Sequence, residues 1–485
     1  MYLRFLPLLA TLLAAPALAA PVPRFEPGPC PVDVSAIPRQ TDCGVLVVAE
    51  NRDRPAGRTV TIPVVIARAD PAKRKPDPVI FLHGGPGGSV LAGVGGFFDD
   101  SRIQRPANAP PLPPLVGADR DWIFFDQRGA GLGQPNLDCG EVQLTDSGLV
   151  SDLDVALMTA CHQRLKAAGI DLSRYNSEEI ARDVADLRRT LGFDAFNLYG
   201  VSYGSRVAFA VQHYAPEGLR AAIHDAPYPP EAKGTEDLPW LVAREVRDVL
   251  AKCEADPACK AKFGGLEPRL TAAAADWATA PRVVAGKTYS VEDLASYLLD
   301  ATYSWRGTRS LPRDLSAILA GDMAALDAYM QDRSGYEEGQ NLTHFCKEEL
   351  PFESPARMRE KAGTDPLALA IVTTAARYFD ACKAWDVGPP NPREIEPVRS
   401  AAPTLLIASE IDAGCPTDFS EAAVRHLPRG QFVAVPNATH GVTRRSACAR
   451  TMVAAFLDNP AAPVDRTCLA REHASLPFIL EPEPQ

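Results

Sequence analysis

The chain has 485 residues and a formal net charge of −11, with 46% hydrophobic and 23% charged residues. That length can bury a large core and admits two or three domains, and the apolar fraction is ordinary for a globular protein. The acidic balance argues against nucleic acid or an anionic membrane surface as the main partner.

Residues 1–20 read as a secretory signal peptide. Arg4 and the amino terminus supply positive charge, Phe5 to Ala15 is nearly all apolar, and Ala17-Leu18-Ala19 fits a small-residue cleavage site. The apolar run is short for a membrane span. Cleavage after Ala19 or Ala20 leaves no N-terminal cysteine for a lipid anchor, so the mature chain is expected in the periplasm or outside the cell. Eleven cysteines suit an oxidising compartment. Closeness in sequence suggests the pairs Cys30–Cys43, Cys139–Cys161, Cys253–Cys259, Cys346–Cys382 and Cys448–Cys468. Each would contribute about 2–4 kcal/mol by closing a modest loop. Cys415 is left over and reads as a buried free thiol. With no C-x-x-C pair and 8 histidines, no metal centre and no cofactor are expected.

Gly44–Ala49 and Thr59–Ala67 read as strands joined by a polar turn, the second alternating Val60, Ile62, Val64 and Ile66. Val79–Leu82 is a short apolar run of the buried parallel-strand type, and it leads into His83-Gly84-Gly85-Pro86-Gly87-Gly88. A glycine cluster there could cradle phosphate, but it lacks both the Gly-Lys-Ser/Thr ending and the G-x-G-x-x-G spacing. Pro106 to Pro114 reads as a surface loop, and Trp122–Phe125 as a buried strand ending at Asp126-Gln127-Arg128-Gly129. Asn176 to Leu191 reads as a helix capped by Asn176 with Glu179, with Ile180, Val184, Leu187 and Leu191 on one stripe. Its charges, Arg182, Asp183, Asp186 and Arg188, are expected to form a solvated face.

Phe196 to Arg206 organises the rest. An apolar run enters Gly200-Val201-Ser202-Tyr203-Gly204 and a helical pattern leaves it through Val207, Ala208, Val211 and Tyr214. This is G-x-S-x-G on a sharp strand-to-helix turn, which pushes a serine hydroxyl out as a nucleophile. The glycines permit close approach and a strained backbone at Ser202. With such a serine, the cluster after Val79–Leu82 is better read as an oxyanion hole, formed by the N–H groups of Gly85 and Tyr203.

Leu219–Ile223 is the following strand. Residues 231–394 then turn helical, with stretches such as Leu241–Ala255, Leu294–Ala301 and Leu311–Met330, before strands return at Thr404–Ala408 and Gln431–Val435. The expectation is an α/β core with a mostly parallel, doubly wound sheet, residues 21–230 and 395–485, split by a helical cap over 231–394. Acid and base should follow late strands in the order Ser, acid, His. Asp412 and His440 occupy those places, with Glu410 as the rival acid. The imidazole would take the Ser202 proton and return it to the leaving group, while the carboxylate holds the tautomer.

Together, Phe81-Leu82-His83-Gly84-Gly85-Pro86-Gly87-Gly88, Asp126-Gln127-Arg128-Gly129-Ala130-Gly131 and Leu198-Tyr199-Gly200-Val201-Ser202-Tyr203-Gly204 resemble the α/β-hydrolase serine aminopeptidases, the prolyl iminopeptidase and tripeptidyl aminopeptidase group. The family often has Thr-Pro soon after the acid, where this chain has Ala413-Gly414-Cys415-Pro416. The resemblance implies removal of residues or short peptides from a free N-terminus through an acyl-enzyme, proline-containing substrates included. It implies an anion for the substrate ammonium, offered in the cap by Glu348 and Glu349, with Glu337 and Glu338 nearby. The alternative is a carboxylesterase using the same Ser202, Asp412 and His440, since fold does not determine substrate.

Overall fold

The computed structural model describes residues 21–101, 103, 111–140, 155–331 and 337–481. The expected signal peptide and most of the proline-rich loop lie outside the described residues.

Seven strands precede the helical segment: β1 (Arg24–Pro27), β2 (Thr41–Ala49), β3 (Thr59–Ala67), β4 (Val79–Leu82), β5 (Trp122–Phe125), β6 (Phe196–Val201) and β7 (Leu219–Asp225). A small separate hairpin, β8 (Arg282–Val284) and β9 (Lys287–Tyr289), sits among the helices, and β10 (Thr404–Ser409) and β11 (Gly430–Val435) follow them. The main sheet runs β1-β2-β3-β5-β4-β6-β7-β10-β11. Its first three strands pair antiparallel, and from β5 to β11 every pairing is parallel.

The continuous apolar runs of the central strands have a simple cause. Ile80 and Leu82 of β4 and Ile123 and Phe125 of β5 face one core, while Val79, Phe81, Trp122 and Phe124 face the other. Both faces are covered, so both sets of alternate residues must be apolar. Each such fully buried side chain contributes about 1.5–3 kcal/mol. β4 lies between β5 and β6 with Leu82 opposite Gly200, which sets the glycine cluster beside the serine turn.

Between β7 and β10 the described chain is helical apart from the β8–β9 hairpin, with long helices at Gly234–Ala255, Val291–Tyr303, Trp305–Ala320 and Pro366–Ala384. The continuous helix expected over Leu311–Met330 is two helices. The first ends at Gly321 (φ 100°), whose N–H caps Ala317 and Ile318, and the second runs Ala324–Gln331. The five cysteine pairings read from the sequence are all formed, and Cys415 is free and buried.

The helix Ser177–Leu191 is capped by Asn176, whose side chain accepts from the Glu179 N–H. Of the charges expected on a solvated face, Arg182 is exposed and Arg188 half-buried, but the two aspartates are not solvated. Asp183 and Asp186 are buried; Asp183 takes Arg128 through two 2.6 Å hydrogen bonds, and Arg52 reaches both carboxylates at 2.7 Å. The Arg128 guanidinium, itself fully buried, needs that partner. The helix is thereby fastened to the segment after β5.

Candidate active site

β6 ends at Val201, and the helix Tyr203–Tyr214 begins immediately after Ser202. Ser202 has φ 57° and ψ −129°, a left-handed conformation uncommon for a residue with a Cβ. The glycines flanking it make the turn possible. A Cβ on Gly204 would lie 2.0 Å from the Leu82 carbonyl oxygen, and one on Gly200 would lie 2.4 Å from the Gly204 oxygen. Strand, turn and helix are in backbone contact, and Ser202 sits at their apex. Tyr203, as the first helical residue, has an N–H without an intrahelical acceptor. Gly84 backs onto the serine, since a Cβ there would meet Ser202 Oγ at 3.3 Å, and Gly85 lines the same cavity. Gln127 donates to the His83 carbonyl at 2.9 Å, and Asp126 accepts from Ser89 Oγ and the Leu91 and Leu132 N–H groups. The Asp-Gln-Arg-Gly segment thus braces the glycine loop.

Asp412, after β10, is fully buried and receives His440 Nδ1 at 2.8 Å, Ser409 Oγ at 3.1 Å and the Cys415 N–H at 2.9 Å. Glu410 instead pairs with Lys252 at the surface and accepts from the Asn437 N–H, so the rival acid is engaged elsewhere. With Nδ1 on Asp412, Nε2 is the imidazole nitrogen available to the cavity that His440 shares with Ser202. Burial alone lowers the His440 pKa, but the Asp412 charge and hydrogen bond outweigh it, and the net shift is upward.

Several residues around this pair carry no sequence signal of their own. Tyr303, at the end of the helix Val291–Tyr303, lies over the His440 ring at 4.2 Å between centroids. The Cys415 thiol contacts Ser202 and Tyr303, and burial, then the Asp412 charge, pushes its pKa well up, so it stays neutral. Asp225, at the end of β7, accepts from the Val442 and Thr443 N–H groups at 2.9 and 3.0 Å and fastens the loop after His440. Its carbonyl accepts from the Ser202 N–H at 3.0 Å, which ties that loop's anchor to the serine turn.

The cavity has a volume of about 750 Å³, and its lining includes Tyr303, Asn341, His344 and Glu349 from the helical segment between β7 and β10. The two cap carboxylates have different surroundings. Glu348 is buried outside this cavity's lining and is consumed by Arg206 Nε (3.2 Å) and the Ser177 N–H (2.6 Å). Glu349 lines the cavity. Its Oε1 accepts from the Thr235 N–H and Oγ1 at 3.1 and 2.7 Å, whereas Oε2 has no hydrogen-bond partner among the described residues and only a 3.4 Å approach to His344 Nε2. Burial opposes ionisation of both, yet His344 and Arg206 hold Glu348 down at about 2 and Glu349 below the usual carboxylate range. Glu337 and Glu338 do not line the cavity; Glu337 donates its N–H to the Gly87 carbonyl and so backs the glycine loop.

Two groups among the described residues set three candidate ligand atoms within 4.8 Å of one another, Asp412–Cys415–His440 and Asp138–Glu337–Glu338. No helix among them is long and apolar enough to cross a membrane.

A family model described as the alpha/beta hydrolase fold matches residues 77–252, and one described as TAP-like protein matches residues 369–468. The chain is an α/β-hydrolase by fold. This α/β-hydrolase is 24% identical over 452 residues to a tripeptidyl aminopeptidase of Streptomyces lividans, covering 84% of this chain and 79% of that one. It is 25% identical over 236 residues to the serine protease Hip1 of Mycobacterium tuberculosis, covering 46% and 43% of the two chains. The crystal structure of a proline iminopeptidase from Mycobacterium smegmatis aligns with 86% of the chain and 98% of its own, at 17% identity and a TM-score of 0.40.

Proposed function

We propose that this α/β-hydrolase is an exported serine aminopeptidase that removes N-terminal residues or short peptides, proline-containing substrates included. One observation carries the reading. Buried Asp412 and half-buried His440 form a pair beside a cavity that also holds Ser202 on a strained strand-to-helix turn beside a glycine loop. His440 Nε2 takes the Ser202 proton as Oγ attacks the scissile carbonyl carbon. The N–H groups of Tyr203 and Gly85 receive the oxyanion. The imidazolium, stabilised by Asp412, passes the proton to the departing amine, leaving an ester on Ser202. Water, deprotonated by the same imidazole, then hydrolyses that ester and frees the N-terminal fragment.

Glu349 gives the reading its direction. A buried carboxylate with one oxygen outside any hydrogen bond among the described residues suits a substrate ammonium, and the helical segment around it would limit a longer N-terminal extension. Glu348, occupied by Arg206, positions that segment. The peptidase names of the relatives and the peptide-sized cavity support this substrate class. The cysteine pairings and the apolar leader support export.

A panel of aminoacyl and peptidyl arylamides, their N-acetylated counterparts and short acyl esters tests the reading. Turnover of the free-amine substrates, lost on acetylation, is expected. Preferential turnover of blocked substrates and simple esters would replace the aminopeptidase with a carboxylesterase.

A further inference from the structure

The cavity lining carries the Glu349 carboxylate and two arginines, Arg444 and Arg445, which follow His440 on the same loop. Arg444 is exposed and forms no ion pair among the described residues. Arg445 is half-buried, and burial together with the Arg444 charge pushes its pKa down to about 10, the signature of two cations crowded in a partly dry site. The Arg444 charge also reaches His83, at the start of the glycine loop, and helps lower that imidazole's pKa, after the larger effect of burial. Arg444 therefore lies near the glycine loop.

A third arginine lining the cavity shows what a structural cation looks like here. Arg450 is buried, takes both Asp100 oxygens at 2.7 and 2.8 Å, and donates to the carbonyls of Thr443 and Arg444 at 2.7 and 2.9 Å. Asp225 grips the overlapping stretch just before it through the Val442 and Thr443 N–H groups. The backbone leading into Arg444 is thus held through its N–H and carbonyl groups, while Arg444 itself has no carboxylate partner among the described residues. Rigid support under an uncompensated charge is how a binding group is pre-organised.

We propose that Arg444, assisted by Arg445, receives the C-terminal carboxylate of the substrate on the leaving-group side, so that the substrates are short peptides with both termini free. This rests on the aminopeptidase reading. Glu349 takes the ammonium, Ser202 and His440 act on the bond between, and the leaving fragment ends within reach of the guanidinium. Recognition at both ends selects small oligopeptides over long chains, because a long chain puts a neutral peptide group where the carboxylate belongs.

The test pairs short peptides with their C-terminal amides and measures kcat/KM for each, in the wild type and in Arg444→Gln and Arg445→Gln, with the matching arylamide as reference. The free acid should exceed its amide by roughly ten- to hundred-fold in the wild type, mostly through KM, with the ratio approaching one in Arg444→Gln. Arg444→Lys should restore part of the ratio. Equal rates for acid and amide in the wild type would overturn the proposal, as would a variant in which both rates fall together and their ratio survives. Absence of arylamide turnover in the wild type would instead strike the aminopeptidase reading, and this one with it.

Discussion

Replacing Asp412 by Asn is the most informative single change. The carboxylate is fully buried and sits 2.8 Å from His440 Nδ1, so it faces the full charge that appears on the imidazole during proton transfer. Charge centres 3–4 Å apart in an effective dielectric of about 20 attract by roughly 4–5.5 kcal/mol. At about 1.4 kcal/mol per tenfold, that is about 10³–10⁴ in rate. The isosteric amide can still accept from Cys415 N–H, so the loop should hold its shape while the imidazole loses its partner and its tautomer. The assay is kcat/KM on an aminoacyl arylamide across pH. Because the wild-type His440 pKa is raised above 6.5 by Asp412, the base is protonated and idle below that raised value, and activity appears as pH climbs through it. In Asp412→Asn burial is opposed only by the weaker Asp225 charge, and the acid limb should move to lower pH. A rate loss under about tenfold, or an acid limb that stays put, would refute the assigned role.

Glu349→Gln should raise KM for free-amine substrates by about ten- to hundred-fold, the worth of one charge-assisted hydrogen bond, while N-acetylated substrates lose the discrimination against them. Glu348→Gln should act on stability. It leaves Arg206 buried without its counter-charge at a cost of about 3–5 kcal/mol, read as an apparent Tm lowered by several degrees. A normal Tm with a selective rise in KM would reverse the roles of the two glutamates. Gly204→Ala sets a methyl 2.0 Å from the Leu82 carbonyl, so the elbow helix must move, and both soluble yield and activity should fall.

Much of the architecture could be read from residue order because the central strands are covered on both faces. Val79–Leu82 and Trp122–Phe125 must be apolar throughout, which leaves little ambiguity. Ser202, Asp412 and His440 were legible for a related reason, since each stands just past a strand end. Elements without a two-sided burial pattern were harder. β1, Arg-Phe-Glu-Pro, is a half-exposed edge strand with no apolar signature, and β8–β9 is only three residues a side. Asp183 and Asp186 looked like solvent-facing charges because their partners, Arg52 and Arg128, come from distant loops. Glu348 and Glu349 were inseparable as neighbours. A π-helical turn over Phe345–Glu349 decides which one meets the cavity and which meets Arg206. Tyr303 over His440 is a contact between residues far apart in the chain, of a kind that local pattern does not encode.

The central claim is that Ser202 is a nucleophile activated by His440, and a fluorophosphonate probe with mass-spectrometric site mapping tests it most directly. One adduct per chain on Ser202 is predicted, absent in Ser202→Ala and strongly slowed in His440→Ala. A folded wild-type protein that resists the probe, or one that carries the adduct on another residue, would contradict the account.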